Sequence, residues 1–197
     1  MYENKIITEP KWKSWIVQTT TPLFTPDQCN QIIASGRAQK PQQAQVGMDK
    51  PESGTDTKKR ITTISWIPFQ EMGYMYQDLN SFIQKANENH FGFGDIQVTE
   101  QAQFTEYPEG GFYDWHMDCD VNMEHEPPVR KISMTVLLND PKEFEGGHLE
   151  LMAPGKFAEL KQGHAIIFAS FLNHRVNPVT RGMRQSLVVW FGGKAFR

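Results

Sequence analysis

The sequence has few cysteines, no long apolar run and no excess of charge of one sign. Its 197 residues include only two cysteines, Cys29 and Cys119, which are far apart and have no CxxC spacing. A disulfide framework is therefore excluded as the basis of the fold, and a reducing compartment is expected. The longest apolar run, around residues 165–172, has about eight residues and is far too short to span a membrane.

The balance of charge excludes several classes of partner. A formal net charge of -3 gives no basic footprint for nucleic acid or for an anionic membrane surface. The first residues, MYENKIITEPKWKSW, lack the apolar region of a secretory signal. We therefore expect a cytoplasmic protein, located in the host cytoplasm if its source is viral. The sequence does not indicate an oligomeric state.

The composition is that of one globular domain. Hydrophobic residues make up 39% of the chain and charged residues 22%, so neither disorder nor a coiled coil is expected. A chain of 197 residues also fits a single hydrophobic core. We therefore expect one domain over residues 1–197.

Two helical patterns precede a series of strands. Thr25, Pro26 and Gln28 form a helix-start signal, and this helix should run to about residues 35–39. Apolar residues at helical spacing predict a second helix over residues 69–89. From residue 95 onward, short strand-like segments alternate with turns, which favours a sandwich or jelly roll. The predicted fold class is mainly β with N-terminal helices, with helical support over about residues 1–94 and a β core over about 95–197.

Residues 40–59 break this order with a polar stretch of two prolines, two glycines and no hydrophobic period. A loop of roughly 20 residues is uncommon in a compact domain and is often functional. Two interpretations remain open, a mobile surface connection and a flap over an active site.

A histidine and a carboxylate two positions apart, His116 and Asp118, are candidate metal ligands. Residues i and i+2 of an extended strand point to the same face, so their ligand atoms could converge. Asp114 and Asp120 would share that face in a regular strand. His174 is the best candidate for a third ligand, and two histidines with one carboxylate suit non-haem Fe(II). The other histidines are interpreted as structural or solvated, namely His90, His125, His148 and His164.

Arg184 stands at the start of an apolar strand, with Ser186 two residues later on the same face. A guanidinium inside a β-barrel is unfavourable unless it pairs with an anion, and its geometry matches a carboxylate. Arg181, in contrast, fits an ordinary surface position. The pattern therefore predicts an anion site at Arg184.

Together these segments resemble one family, the 2-oxoglutarate- and Fe(II)-dependent dioxygenases, in their prolyl 4-hydroxylase-like branch. The resemblance covers about residues 101–190. The matching positions are Tyr107, Gly110, Gly111, Tyr113, His116, Asp118, Gly146, Gly147, Leu149, Gly163, Phe168, His174, Val176, Pro178, Val179, Thr180, Gly182, Arg184, Ser186 and Leu187.

The resemblance implies a double-stranded β-helix, a jelly-roll variant, with helices supporting it. It implies Fe(II), 2-oxoglutarate and O2 as cofactor and cosubstrates, with ascorbate as an accessory ligand. The residue roles it implies are iron binding by His116, Asp118 and His174, pairing of the far 2-oxoglutarate carboxylate with Arg184 and Ser186, and pocket walls formed by Tyr107, Tyr113, Val176 and Trp190.

One position departs from the family pattern. The hypoxia-sensing animal prolyl hydroxylases carry a tyrosine that helps to hold 2-oxoglutarate where this chain has Leu137, and Ser186 is expected to take over that hydrogen bond. The implied substrate is a prolyl residue of a protein or peptide, with succinate and CO2 as coproducts. The alternatives are a hydroxylase of free amino acids or other small molecules, a nucleic-acid demethylase, which the acidic charge disfavours, and a non-enzymatic metal-binding jelly roll.

Overall fold

The computed structural model describes residues 14–43, 59–119, 128–152 and 159–195. Within these ranges the chain forms two α-helices, two short helical turns and fourteen strands. The helices are α1 (Pro26–Ala38) and α2 (Gly73–Ala86), and the turns are a π-helical one (Asn87–Phe91) and a 3-10 one (Pro141–Glu143). The strands are β1 (Ile16–Gln18), β2 (Gln42–Gln43), β3 (Arg60–Ile61), β4 (Thr63–Ile67), β5 (Gln97–Val98), β6 (Ala102–Tyr107), β7 (Phe112–His116), β8 (Val129–Leu137), β9 (Phe144–Gly146), β10 (Leu149–Leu151), β11 (Ala165–Ala169), β12 (His174–Val176), β13 (Val179–Gly182) and β14 (Arg184–Gly193).

Helix α1 begins at the predicted residues. The Thr25 hydroxyl accepts the backbone N–H of Gln28 at 3.3 Å, and the Gln28 side chain accepts the backbone N–H of Thr25 at 2.9 Å. Pro26 fills the first helical position, where a missing N–H removes no helical hydrogen bond. The predicted capping box and the predicted extent of the helix are both confirmed.

The second predicted helix is confirmed in its centre. Helix α2 begins at Gly73, later than the pattern suggested, and continues as the π-helical turn to Phe91. Gly92 then adopts a φ of 74°, the left-handed conformation that glycine reaches without strain, and this ends the helical segment.

The strands form three antiparallel sheets of eight, four and two strands, and we call the first two the major and the minor sheet. The major sheet has the order β1-β11-β8-β14-β6-β4-β2, and β5 also pairs with β14. The minor sheet has the order β10-β12-β7-β3, and β13 pairs separately with β9. The expectation of a mainly β protein is therefore confirmed.

The helices are not gathered into a separate N-terminal part. Strand β1 precedes α1 and pairs with β11, and β4 lies between the two helices in sequence and pairs with β6. Strands from the first 94 residues thus belong to both sheets, because antiparallel pairing can join segments that are far apart in sequence. The predicted loop over residues 40–59 lies mostly outside the described residues.

The two faces of the major sheet have different environments. One face packs against both helices in a single hydrophobic cluster, to which strand β8 contributes Ile132, Met134 and Val136. Each fully buried side chain of this kind contributes about 1.5–3 kcal/mol. A Cβ at Gly36 of α1 would overlap the Phe104 ring, so the helix lies very close to the sheet. The alternate residues of β8 point to the opposite face, towards the minor sheet, and we call this the site face.

Neither of the helices in the described part of the chain combines the length and the apolar character needed to cross a membrane.

Candidate active site

His116, Asp118 and His174 lie together at the site face of the major sheet. Each offers one ligand atom, and these atoms all lie within 4.8 Å of one another. His116 Nε2 is 3.7 Å from Asp118 Oδ1, and His174 Nε2 is 3.5 Å from Asp118 Oδ2. The two histidines are direct neighbours because β7 and β12 pair with His116 opposite His174.

A β-bulge in β7 orients His116. Tyr113 lies opposite Val176 and His116 opposite His174, so three steps on β7 match two steps on β12. Both Tyr113 and His116 therefore face the site, and their rings stack with centroids 3.5 Å apart. The bulge was not foreseen in the sequence, where residues 112–118 suggested one regular strand.

Asp118 is held by contacts outside β7, which ends at His116. Its backbone N–H donates to the Ser170 carbonyl oxygen at 3.0 Å. The two side chains do lie close together, as predicted. The predicted reason, a regular strand that includes both His116 and Asp118, is wrong. Asp114 is exposed and outside the cluster. Asp120 lies outside the described residues.

Backbone contacts leave one nitrogen of each histidine directed at the cluster. His116 Nδ1 lies 2.7 Å from the Asp114 carbonyl oxygen, and His174 Nδ1 lies 3.0 Å from the Leu172 carbonyl oxygen. A neutral imidazole that donates through Nδ1 has a free lone pair on Nε2. Both Nε2 atoms are the ones close to Asp118, so the donor set is ready for a metal ion.

The electrostatics favour the charge states that metal ligands need. Burial, with the neighbouring His174, lowers the pKa of His116 to about 4. Burial alone would raise the pKa of Asp118, but His174, His116 and a hydrogen bond from Ser133 lower it below its ordinary value. A neutral imidazole and an ionised carboxylate are the ligand forms for a divalent cation. Two imidazoles and one carboxylate fit Fe(II) with open coordination positions.

Ser133 supports the Asp118 carboxylate, a contact that sequence reasoning missed. The Ser133 hydroxyl donates to Asp118 Oδ2 at 2.7 Å and lies 2.9 Å from the Ser170 hydroxyl. Only the pairing of β8 with β11, at Ser133 opposite Phe168, brings these residues together. The strand pattern of residues 130–138 gave no signal for this role.

Arg184 is a buried cation at the other end of the site face. Its side chain donates from Nη1 to the Ser186 hydroxyl at 3.0 Å, and its guanidinium lies 5.6 Å from the centre of the Tyr107 ring. The residue is only 3% exposed, and none of the carboxylates in the described ranges pairs with it. Burial lowers the pKa of Arg184, and an unpaired buried cation is costly. The arrangement is suited to binding the carboxylate of a small ligand.

A tight turn makes room for Arg184. A Cβ at Gly147 would lie 2.8 Å from Arg184 Cδ and 2.9 Å from Val179 Cγ2, so any side chain there would displace the arginine. Gly147 also has a φ of 63°, which glycine adopts without strain.

Trp190 lies at the metal end of the site face and not beside Arg184. It is opposite Ser133 in the sheet, and its indole Nε1 is buried without a hydrogen-bond partner. The Arg130 guanidinium lies 3.8 Å from the centre of the Trp190 ring and makes two hydrogen bonds of 2.6 Å with Glu100. Val176, the remaining expected wall residue, is buried opposite Tyr113.

Arg60 is a second buried cation that the sequence did not single out. Its Cζ atom lies 4.3 Å from the centre of the Tyr113 ring, and its Nη2 donates to the Gln103 side-chain oxygen at 3.1 Å. Its Nε atom is buried without a partner. Only the pairing of β3 with β7 places Arg60 here, so no local signal could have found it. Of the other histidines in the described ranges, none joins the metal-ligand cluster.

Comparisons with known proteins agree with this geometry. The sequence model of the 2OG-Fe(II) oxygenase superfamily matches residues 102–192, which include the three clustered side chains. A PKHD-type hydroxylase of Colwellia psychrerythraea is 42% identical over 147 residues, covering 72% of this chain and 64% of that protein. Another from Acidovorax ebreus is 33% identical over 93 residues, covering 45% of this chain and 41% of that protein. The matches therefore span less than two thirds of these curated relatives.

The fold also resembles that of a viral collagen prolyl hydroxylase. The enzyme from Paramecium bursaria Chlorella virus-1, solved as a 2OG complex, superposes with a TM-score of 0.70 and 17% identity. The superposition covers 92% of this chain and 97% of the viral one. At this level of identity, the likeness shows a shared fold.

Proposed function

We propose that this chain is a member of the 2OG-Fe(II) oxygenase superfamily that hydroxylates prolyl residues of a protein or peptide and releases succinate and CO2. The observation that carries the oxygenase part is the cluster of His116, Asp118 and His174 between the two sheets, with a buried cation, Arg184, on the site face of the major sheet. The family implies Fe(II), 2-oxoglutarate and O2, and the donor set fits the metal.

His116, Asp118 and His174 would hold the Fe(II). When bound, Fe(II) and 2-oxoglutarate supply O2 activation, in which one oxygen atom enters succinate and the other enters a substrate C–H bond. The chain contributes the orientation of its ligands. The Asp114 and Leu172 carbonyls fix the two imidazoles, and Ser133 fixes the carboxylate.

Arg184 and Ser186 would bind the far carboxylate of 2-oxoglutarate. The Ser186 oxygen accepts a hydrogen bond from Arg184, so its own O–H is available to donate to a second acceptor. Tyr107 lies opposite Arg184 in the sheet and closes this end of the pocket. Leu137 stands opposite Ser186 and presents an apolar side chain to the methylene groups of the cosubstrate.

Aromatic rings and buried N–H groups at the metal end support a proline-containing peptide as substrate. Tyr113 stacks on His116, and Trp190, opposite Ser133, lies 6.0 Å from Trp66, so flat aromatic faces lie at this end of the site. The two buried side-chain donors without partners in the described ranges are Arg60 Nε and Trp190 Nε1. A peptide offers what both need, because its carbonyl groups accept hydrogen bonds and a prolyl ring packs on aromatic faces.

We also propose that residues 1–197 act as one dioxygenase domain, with a double-stranded β-helix as its core. One hydrophobic cluster joins α1, α2 and the major sheet, which supports a single folding unit. The major and minor sheets flank the ligand cluster, as the two layers of a jelly roll would. The helices would then support the sheet from its outer face.

The substrate class is tested by turnover with peptides. The protein is loaded with Fe(II) without oxygen, then exposed to O2 with 2-oxoglutarate and ascorbate, in the presence or absence of proline-rich peptides. We expect peptide-stimulated succinate formation and the gain of one oxygen atom on a proline, both absent from Arg184→Ala. Succinate formation that no peptide stimulates, but a free amino acid does, would contradict the prolyl-peptide assignment.

A further inference from the structure

Strand β8 connects the two ends of the candidate site. Its core-facing residues, Ile132, Met134 and Val136, belong to the main hydrophobic cluster. Side chains alternate along a strand, so Ser133, Thr135 and Leu137 all point to the site face. The Ser133 hydroxyl, which bonds to Asp118, shows directly that this face is the one towards the metal ligands.

The register of β8 with β14 places each of these residues in the site. Ser133 lies opposite Trp190 at the metal end, and Leu137 lies opposite Ser186 beside Arg184. At about 3.4 Å per residue, the four steps from Ser133 to Leu137 cover about 14 Å. A dicarboxylate that reaches from the metal ligands to Arg184 must cross the middle of this stretch, where Thr135 lies.

Thr135 presents its hydroxyl at that midpoint of the site face. It is only 6% exposed, and its side chain makes no hydrogen bond to any residue that the structure describes. Its direct neighbours in the sheet, Ile166 and Val188, are apolar and offer no partner. The hydroxyl of Thr135 is therefore available to donate a hydrogen bond to a ligand that crosses the site face.

We propose that Thr135 is a cosubstrate-binding residue, whose hydroxyl donates a hydrogen bond to the oxo-acid end of bound 2-oxoglutarate. This inference rests on the proposed function, and it adds a contact between the iron ligands and the Arg184 end. Arg184 and Ser186 bind the far carboxylate, beside Leu137 of β8. Thr135 lies two residues nearer than Leu137 to Ser133, whose hydroxyl donates to the metal ligand Asp118. The oxo-acid oxygens are therefore the acceptors within its reach.

The test is equilibrium binding of 2-oxoglutarate to Mn(II)-loaded protein by titration calorimetry, which needs no turnover. Thr135→Val keeps the shape and removes the hydroxyl, and Thr135→Ser keeps the hydroxyl. We expect Thr135→Val to bind 2-oxoglutarate about tenfold more weakly, as for the loss of one hydrogen bond. Thr135→Ser should stay within about twofold of the wild type.

Two further measurements keep the outcomes distinct. Mn(II) affinity and thermal unfolding, measured for each variant, show whether the metal site and the fold are intact, and Thr135→Ala replaces Thr135→Val if the latter does not fold. Equal affinity of the wild type and the hydroxyl-free variant would overturn the inference. A wild type that binds Mn(II) but no 2-oxoglutarate would instead contradict the proposed function.

Discussion

The Asp118 carboxylate owes its orientation to a serine on a neighbouring strand. The Ser133 hydroxyl donates to Oδ2 at 2.7 Å and is itself 2.9 Å from the Ser170 hydroxyl. A carboxylate with one oxygen fixed in this way has its other oxygen, Oδ1, turned towards His116. Such supporting hydrogen bonds raise metal affinity because they hold a ligand in its binding orientation.

Replacing this serine should weaken metal binding without touching a ligand. We expect Ser133→Ala to lower Mn(II) affinity by about 10–100-fold, and Ser133→Thr to retain most of it. Titration of the metal-free protein with Mn(II), without oxygen or cosubstrate, measures this directly. Unchanged affinity in Ser133→Ala would show that the hydrogen bond does not position Asp118.

Two arginines close in sequence offer a matched test of the anion site. Arg184 is buried, whereas Arg181 is exposed and pairs with Glu145 at 2.8 Å. We expect Arg184→Lys to bind 2-oxoglutarate more than tenfold more weakly, because an ammonium loses the planar donor geometry of the guanidinium. Arg181→Lys should bind normally, since exposed ion pairs contribute little.

Calorimetry of both arginine variants, each loaded with Mn(II), makes the comparison. Similar losses in the two variants would mean that overall charge, and not the buried guanidinium, governs affinity. If Arg184→Lys binds 2-oxoglutarate with normal affinity, Arg184 does not bind the carboxylate through two parallel hydrogen bonds.

At the scale of whole elements, strand β7 shows where prediction from sequence fails. The pair His116 and Asp118 was identified correctly, but the reason given was a regular strand. The observed strand has a bulge and ends at His116, and Asp118 is placed by the Ser170 backbone. A bulge depends on the register with a partner strand some 60 residues away, and no local pattern encodes it.

The turn between β9 and β10 should determine the position of the Arg184 side chain as much as strand β14 does. Gly147→Ala introduces a Cβ against the Arg184 side chain, and Gly110→Ala places one in open space. Both glycines have positive φ angles, 63° and 78°, so the two variants carry a similar backbone strain. We expect similar thermal destabilisation, with weaker 2-oxoglutarate binding in Gly147→Ala alone, as calorimetry on the Mn(II)-loaded variants would measure. Equal binding in the two variants would show that the arginine tolerates the added group.

Across the whole molecule, local signals predicted elements and non-local pairing placed the site. The capping box at Thr25 specified α1 because all its contacts lie within four residues. Strand segments from residue 95 onward were predicted from alternation and turns. Arg60 and Ser133 were missed, because each reaches the site through a strand pair that only the folded sheets create.

The resemblance to a family added what local patterns could not. It assigned His174 and Arg184 to one site, and the structure places His174 in the minor sheet and Arg184 on the site face of the major sheet, which points towards the minor sheet. The predicted division into N-terminal helical support and a C-terminal β core was less accurate, because β1 and β4 of the N-terminal half belong to the major sheet. Both the position of the site and the place of these N-terminal strands depend on strand pairing between segments that are far apart in sequence.

The central claim is that the cluster of His116, Asp118 and His174 supports oxidative decarboxylation of 2-oxoglutarate. The most direct measurement is release of labelled CO2 from 2-oxoglutarate labelled at C1, by Fe(II)-loaded protein exposed to O2 with a proline-rich peptide. The control is His164→Ala, since His164 lies outside the cluster with Nδ1 at 3.2 Å from the Thr19 carbonyl oxygen. We expect release by the wild type and by His164→Ala, and only background release by His174→Ala. Equal release by His174→Ala and the wild type, or none by the Fe(II)-loaded wild type, would contradict the account.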